Sequence, residues 1–402
     1  MSERRLELVA DRRRPSLANA AREIDRSGLR GVPVVDVDLH LHGLGDPGEV
    51  RRYIRHANLR RLFTTWESLI PPARGDPRVA GRVQLPPPAE PGASGGDRHP
   101  TAARLLRTMD ELGVDLAVVF HAPLLFLAQH PEVEVETELA WAFARWLVED
   151  VLPGNDRLRT FLYLPITDPE ASLELIGAFA DRPGVAGFLI TALNYLPLHR
   201  NLYLKVFAAL DERALPLAVH TVPNWEERPF AFMERFVGPH ALGTPFYGMV
   251  HLFNLVTAGI PERFPGIRWI WIEAGQSWIT FAASRLDNEY RQRPSEAPLL
   301  TRLPSEYIRR MHFATHPLET ELPEREARVL FEYVGGARNW LYSSGYPSPD
   351  FDLPTRVWEL PYLSEEEKRA ILGGNAIRLL GLPEPVIREP GLPPPDPDRP
   401  LT

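Results

Sequence analysis

The chain has 402 residues, of which 44% are hydrophobic and 24% charged, a composition typical of a globular protein with a large core. Its formal net charge of −8 disfavours a nucleic-acid partner, because no excess of positive charge is available to attract phosphates. The absence of cysteine excludes disulfides and thiolate chemistry, so any metal must be held by histidine, aspartate or glutamate. No stretch has the length of a bilayer span or the pattern of a signal peptide, which predicts a cytoplasmic protein without a membrane partner.

Three segments are predicted to lie at the periphery of the folded domain. Residues 1–30 are rich in arginine and predict an N-terminal arm. Residues 83–100 are dense in proline and glycine and predict a long loop, whereas residues 383–402 predict a proline-rich C-terminal tail. The folded domain is therefore expected to span residues 31–382.

Within this domain, short β-branched runs alternate with helical patterns. Helices are predicted over residues 138–152 and 364–381, the second opening with a capping box of Ser364 and Glu367. Eight strands alternating with helices predict an α/β fold, a closed (β/α)8 TIM barrel, with an open doubly wound sheet as the competing arrangement. The predicted strands are residues 33–40, 116–120, 161–166, 187–190, 217–220, 267–273, 311–315 and 339–344.

Polar side chains collect at the C-terminal ends of these predicted strands. Parallel barrel strands are buried on both faces, so polar residues at that end of a strand indicate a site at the barrel mouth. The sixth predicted strand ends at Glu273. Five of the twelve histidines also lie at strand ends: His40, His42, His121, His220 and His316.

The spacing of His40 and His42 predicts a metal site. Residues i and i+2 of a strand point to the same side, so both imidazoles are expected to face the mouth. With His220 from across the barrel they form the three-histidine pattern of catalytic zinc, in which bound water has a pKa of about 7. The alternative is that the three histidines only bond to one another and to nearby backbone.

Three further residues are predicted to take part in catalysis. Glu273 is expected to complete the metal shell or to act as a general base. His316 and His121 are expected to donate a proton or to contact the substrate. The alternative role for each of the three is a structural contact next to the site.

Four stretches of the chain resemble the amidohydrolase-related family, which includes aminocarboxymuconate-semialdehyde decarboxylase and γ-resorcylate decarboxylase. They are DVDLHLH at 36–42, LPLAVHT at 215–221, the block at 259–290 and ILGGNAIRLLGL at 371–382. The resemblance runs from about Val34 to Leu382. It implies a metal-dependent TIM barrel that acts on a small molecule and assembles as a homodimer or a larger homo-oligomer.

The chain departs from this family at the eighth strand. The family's strand typically ends Ser-Asp-Tyr/Trp-Pro-His, whereas Gly345 and Ser348 replace the aspartate and the histidine here. Three interpretations follow. Glu273, Asp350 or Asp352 replaces the missing carboxylate; or His40, His42 and His220 hold the metal alone; or metal chemistry has been lost.

The resemblance and the residues together predict a metal-dependent hydrolase or a non-oxidative decarboxylase. Its expected substrate is a small organic acid, amide or ester, aromatic compounds included. One divalent ion is expected, with zinc as the first choice and manganese as the second. The alternative is a catalytically inactive, metal-free barrel that binds a metabolite or serves in an assembly.

Overall fold

The computed structural model describes residues 31–41, 47–64, 99–194, 196–222, 227–319 and 322–385, together with five residues between 20 and 29. Most of the predicted arm (1–30), loop (83–100) and tail (383–402) therefore lies outside the described residues. Among the helices that the structure describes, none combines the length and the apolar character needed to span a bilayer.

Eight parallel strands form one sheet, in which each strand pairs with the next along the chain. The ring closes between the last strand and the first, where Val37 N donates to Tyr342 O at 3.1 Å and His40 N donates to Tyr346 O at 2.9 Å. The predicted TIM barrel is thus confirmed. The strands are β1 (Val35–Leu41), β2 (Leu116–His121), β3 (Leu158–Tyr163), β4 (Val185–Thr191), β5 (Pro216–His220), β6 (Arg268–Ile272), β7 (His312–Ala314) and β8 (Trp340–Leu341).

Helices surround the strands in the order expected for repeated β–α units. Two of them continue into π-helical turns, at Leu147–Val151 and Ala370–Gly374. The helices are α1 (Pro47–Arg51), α2 (Ala57–Leu62), α3 (Pro100–Leu112), α4 (Val133–Trp146), α5 (Pro169–Phe179), α6 (Leu204–Glu212), α7 (Arg228–Ala231), α8 (Val237–Thr257), α9 (Ile260–Arg263), α10 (Ser277–Gln292), α11 (Pro304–Ile308), α12 (Glu324–Tyr333), α13 (Pro354–Trp358), α14 (Glu365–Arg369) and α15 (Asn375–Leu380).

The predicted elements overlap the observed ones, but several bounds differ; the third strand, expected over residues 161–166, spans Leu158–Tyr163. The eighth strand was expected over residues 339–344 but contains only Trp340–Leu341, since Ser344 N donates to the Asp36 side chain at 3.0 Å instead of continuing the ladder. The last predicted helix is divided into α14, a π-helical turn and α15. Its predicted capping box is confirmed, because Ser364 Oγ accepts from Glu367 N and Glu367 Oε2 accepts from Ser364 N.

Candidate active site

A bulge in β1 directs the polar side chains of this strand toward the barrel mouth. Val37 belongs to the cluster inside the barrel, whereas Leu39 packs in the outer layer between strands and helices. Regular alternation would place both on one side, but the register shifts between Asp36 and Leu39. This shift turns Asp38 and His40 toward the interior, where both are buried.

Four side chains meet at this end of the barrel and form a group that could hold a metal ion. They are Asp38 and His40 from β1, His220 from the end of β5, and Glu273, which follows β6. One ligand atom from each lies within 4.8 Å of every other. Strand ends on several sides of the barrel thus supply one compact set of two carboxylates and two imidazoles.

The separations between the ligand atoms fit one cation. His40 Nε2 lies 2.8 Å from Asp38 Oδ1, and His220 Nε2 lies 3.5 Å from the same oxygen. The two imidazole nitrogens are 3.3 Å apart, and Glu273 Oε2 is 3.2 Å from the His220 nitrogen and 3.9 Å from the His40 nitrogen. Ligands bonded tetrahedrally to a metal at about 2.1 Å are about 3.4 Å from one another.

The polar atoms of Asp38 give a second reason to expect a cation here. The side chain is completely buried, and Oδ2 has no hydrogen-bond partner among the described residues. Burial alone would raise the pKa of Asp38, but the neighbouring His40 and His220 hold it below its usual range. A buried, ionised carboxylate with a free oxygen is costly unless a cation neutralises it.

His220 is oriented for coordination by its neighbour. Its Nδ1 lies 2.7 Å from Thr221 O, which fixes this nitrogen as the hydrogen-bond donor. The lone pair of Nε2 is therefore directed at the group, an arrangement typical of metal-binding histidines. The ring of Phe120 packs against both imidazoles, with its centroid 4.9 Å from that of His40 and 5.3 Å from that of His220.

Glu273 has an unusual backbone conformation. Its φ is +55°, a region that residues other than glycine rarely adopt. Thr221 stabilises this turn, since its hydroxyl donates to the carbonyl oxygens of Ile272 and Glu273. Strained backbone of this kind is concentrated at functional sites, where surrounding contacts maintain it.

His316, after β7, is paired with Asp352. His316 Nδ1 lies 3.0 Å from Asp352 Oδ2, an oxygen that also accepts from Leu318 N at 2.8 Å. Burial alone would lower the pKa of His316, but the hydrogen bond and charge of Asp352, with smaller effects of Asp350 and Glu273, raise it to about 10. His316 is therefore a buried imidazolium at neutral pH.

The ring of His316 occupies the space that a side chain at position 345 would need. A Cβ built on Gly345 would lie 2.2 Å from His316 Cδ2 and 2.4 Å from Nε2. Gly345 also has a φ of +66° and donates its N–H to Asp38 O at 3.1 Å, next to the four-residue group. The missing eighth-strand side chain thus makes room for the imidazolium.

The remaining predicted site residues have different outcomes. His42 lies outside the described residues and stays a prediction. His121, which is fully buried, packs with its ring centroid 4.4 Å from that of Phe143 on α4, in the outer layer of the barrel. Asp38 was not among the predicted ligands, although the alternation that indicated His40 and His42 includes it. Of the three carboxylates considered, Glu273 joins the group and Asp352 contacts His316.

The sequence profile of the amidohydrolase family matches residues 35–382. The chain belongs to the amidohydrolase family. It is 22% identical over 273 residues to 2-amino-3-carboxymuconate-6-semialdehyde decarboxylase of Dictyostelium discoideum, an alignment that covers 67% of this chain and 73% of that one. It is also 22% identical over 294 residues to γ-resorcylate decarboxylase of Rhodococcus jostii, covering 69% of this chain and 86% of the relative.

Solved structures of this amidohydrolase fold superpose over most of the chain. The 5-carboxyvanillate decarboxylase of Sphingomonas paucimobilis gives a TM-score of 0.62 at 20% identity and covers 88% of this chain and 100% of its own. A dihydroxybenzoic acid decarboxylase from Polaromonas, solved with manganese and 2-nitroresorcinol, gives 0.59 at 18% identity and covers 88% and 97%. At these identities the similarity establishes the fold.

A buried carboxyl group lies outside the metal-binding group. Glu136 on α4 accepts hydrogen bonds from the hydroxyls of Tyr163 and Thr167, at the end of β3 and just beyond it. Burial raises its pKa from the ordinary 4.5 to about 8. The side chain is therefore mostly protonated at neutral pH in the folded protein, whereas it is ionised in the unfolded chain.

This difference predicts that Glu136→Gln flattens the pH dependence of stability. The stabilisation from Glu136 is complete below pH 4.5 and is lost as the pH rises through about 8. Wild type should lose roughly 3 kcal/mol of unfolding free energy from this group between pH 5 and 8. Urea unfolding at both pH values, with the exposed Glu134→Gln on the same helix as control, measures the effect. An equal change in unfolding free energy between the two pH values for all three proteins would contradict this assignment.

Proposed function

We propose that the protein is a metal-dependent, non-oxidative decarboxylase of small carboxylic acids, aromatic acids included. The observation that carries the proposal is the buried pair of His316 and Asp352, with His316 Nδ1 3.0 Å from Asp352 Oδ2, beside a group of side chains suited to a divalent cation. Decarboxylation replaces a carbon–carbon bond with a carbon–hydrogen bond, so it requires a proton donor close to the carbon that loses CO2. The decarboxylases among the similar proteins support the same reaction class.

In this proposal Asp38, His40, His220 and Glu273 hold one divalent cation, which would polarise a carboxylate or carbonyl oxygen of the substrate. Zinc is the ion that the sequence predicts. Manganese is the alternative, since it accepts carboxylate ligands readily and is bound in the Polaromonas decarboxylase. Phe120 adds an apolar surface against both imidazoles, and such a surface suits an aromatic ring.

His316 is the proposed proton donor. Its Nδ1–H is directed to Asp352, so the proton for transfer is held on Nε2. When the bond to the carboxylate breaks, its electron pair stays on the substrate carbon, CO2 leaves, and the Nε2 proton forms the new C–H bond. His316 is then neutral, and a proton from the solvent restores the imidazolium while Asp352 keeps the ring in place, so the net reaction consumes one proton for each CO2 released.

The protonated form of His316 favours decarboxylation over hydrolysis. Hydrolysis needs a general base that is unprotonated at working pH, because a water molecule must be activated. A histidine with a pKa of about 10 keeps its proton at neutral pH and is a poor base. The inactive, metal-free alternative has no support among the described residues, which retain an ionised group suited to a cation.

A metal analysis combined with a substrate screen tests this function. The protein is purified without a chelator or a metal-binding tag, and its metals are measured by elemental mass spectrometry. We expect about one divalent ion per chain, and release of CO2 from acids such as 2,6-dihydroxybenzoate or 5-carboxyvanillate. Removal of the metal should abolish CO2 release, and added zinc or manganese should restore it.

A His220→Ala variant is the matched control, because it should lose both the metal and CO2 release. Hydrolysis of amides or esters without CO2 release would overturn the decarboxylase assignment, and no bound metal after reconstitution would overturn the metal-dependent mechanism. Assembly into a homodimer or larger homo-oligomer stays a prediction, for which light scattering after size-exclusion chromatography is the test.

A further inference from the structure

A depression lined by arginines lies at the opposite end of the barrel from the metal-binding group. Arg268 is the first residue of β6, and Arg338 lies shortly before β8, so both mark the N-terminal ends of strands. The depression contains about 1190 Å³ of space, part of it open to solvent. We call it the arginine pocket, after its lining residues Arg268, Arg309, Arg310, Arg338 and Arg378.

The charge of this pocket is opposite to that of the whole chain. Five arginines face a single lining glutamate, Glu306, in a protein with a formal net charge of −8. Glu306 is itself engaged, because its carboxylate accepts from Leu303 N at 3.2 Å in the cap of α11. None of the five arginines has a carboxylate within 4 Å among the described residues. Elsewhere in the described part of the chain, many arginines form ion pairs with carboxylates.

Neutral acceptors hold three of these arginines in place. Arg268 donates to the carbonyl oxygens of Ala214 and Leu379, and Arg309 Nε donates to Tyr333 O at 2.7 Å. Arg378 donates to the Asn375 side chain. These contacts orient the guanidinium groups and leave their positive charges uncompensated.

The other two arginines are available to a ligand. In the part of the chain that the structure describes, the side chains of Arg310 and Arg338 form no hydrogen bond, and both residues are exposed. Arginine presents five N–H donors in a planar fork that matches the oxygens of a phosphate group. Three oriented and two unengaged guanidinium groups around one cavity are suited to a compact anion with several oxygens.

Burial lowers the pKa values of two side chains in the pocket, and nearby positive charges contribute to the decrease for His312. Burial lowers the pKa of Arg268, and no neighbouring carboxylate opposes that effect. Burial also lowers the pKa of His312 to about 4, and the charges of Arg378 and Arg268 add to the decrease. His312 Nδ1 is buried without a hydrogen-bond partner among the described residues. An anion bound in this pocket would relieve these costs.

We propose that the arginine pocket is a binding site for a small phosphate-bearing anion, separate from the catalytic site. A charge-dense phosphate or diphosphate group fits a pocket with five arginines and one glutamate. The site lies about 16 Å from Glu273 along the direction of β6, because Arg268 and Glu273 are five positions apart in the sequence. A ligand bound there would stabilise the folded protein and leave the barrel mouth open.

Calorimetric titration of the full-length protein with inorganic pyrophosphate tests the proposal at fixed ionic strength. We expect saturable binding to wild type and at least a tenfold weaker affinity for Arg310→Gln/Arg338→Gln. That variant should fold normally, since neither side chain forms a hydrogen bond among the described residues. Parallel titrations with inorganic phosphate and ADP distinguish a free phosphate ligand from a nucleotide ligand.

Two control variants test whether pyrophosphate binds in this pocket. Arg291→Gln/Arg325→Gln removes the same charge from exposed positions on α10 and α12 and should bind within twofold of wild type. Asp38→Asn alters the metal-binding group and should keep its pyrophosphate affinity. The proposal is overturned if wild type gives no saturable binding, or if both arginine pairs weaken binding equally. Loss of binding in Asp38→Asn alone would assign the anion to the metal site and overturn it as well.

Discussion

Replacing Asp38 with asparagine is expected to remove the metal from the protein and to abolish its activity. Asp38 Oδ1 lies next to the ring nitrogens of both His40 and His220, and its pKa keeps it ionised. Asparagine preserves the shape of the side chain but not the negative charge. We expect metal affinity to fall by at least about 100-fold, since the loss of an outer-shell partner alone costs up to that factor.

Competition with a chromophoric chelator measures that affinity, and circular dichroism confirms that the variant is folded. His42→Ala is the informative comparison, because His42 is the third ligand in the three-histidine prediction. If the four-residue group is sufficient to bind the metal, His42→Ala retains more metal than Asp38→Asn. The four-residue group would be contradicted if Asp38→Asn bound metal as tightly as wild type while His42→Ala did not.

The location of the site could be predicted from local sequence. Each strand is a short β-branched run followed by a polar residue, and the barrel rule places all such ends at one mouth. His40, His220, Glu273 and His316 were identified in this way, and all four lie at strand ends. The fold and the approximate position of the site therefore depend on patterns within a few residues.

The choice of ligands could not be made from those patterns. Alternation in the sequence treats Asp38, His40 and His42 alike, because it predicts that all three point to the same side. The side to which Asp38 and His40 point depends on the bulge that begins at Asp36. The Asp36 side chain accepts from Ser344 N, a residue 308 positions away that meets β1 only when the barrel closes.

The same reasoning explains why the role of position 345 was not predicted. The sequence shows that Gly345 lacks the family's carboxylate, which suggested a missing function. The structure shows that the imidazole of His316 lies over Gly345 and is held by Asp352, 36 residues further along the chain. The exchange of a carboxylate for an imidazolium is visible only when the loops after β7 and β8 are seen together.

Replacing His316 with glutamine is expected to lower kcat by about 10²- to 10⁴-fold, the range for loss of a general acid. KM should change little, because substrate binding depends chiefly on the metal group. Gly345→Ala provides a second variant that retains the imidazole but displaces it, since the new Cβ would overlap the ring. Steady-state decarboxylation kinetics, with bound metal quantified in each sample, separate loss of the proton donor from loss of the metal.

The pH dependence of kcat distinguishes a proton donor from a structural histidine. The protonated form is the active one, so wild-type kcat should fall as the pH rises through the pKa of His316, about 10. Asp352→Asn removes the main partner that raises this pKa and should move the alkaline limb toward neutral pH. Asp350→Asn, on the same loop, removes a charge that acts on His316 without a hydrogen bond to it and should move the limb less. Identical alkaline limbs in wild type and Asp352→Asn would mean that His316 does not supply the proton.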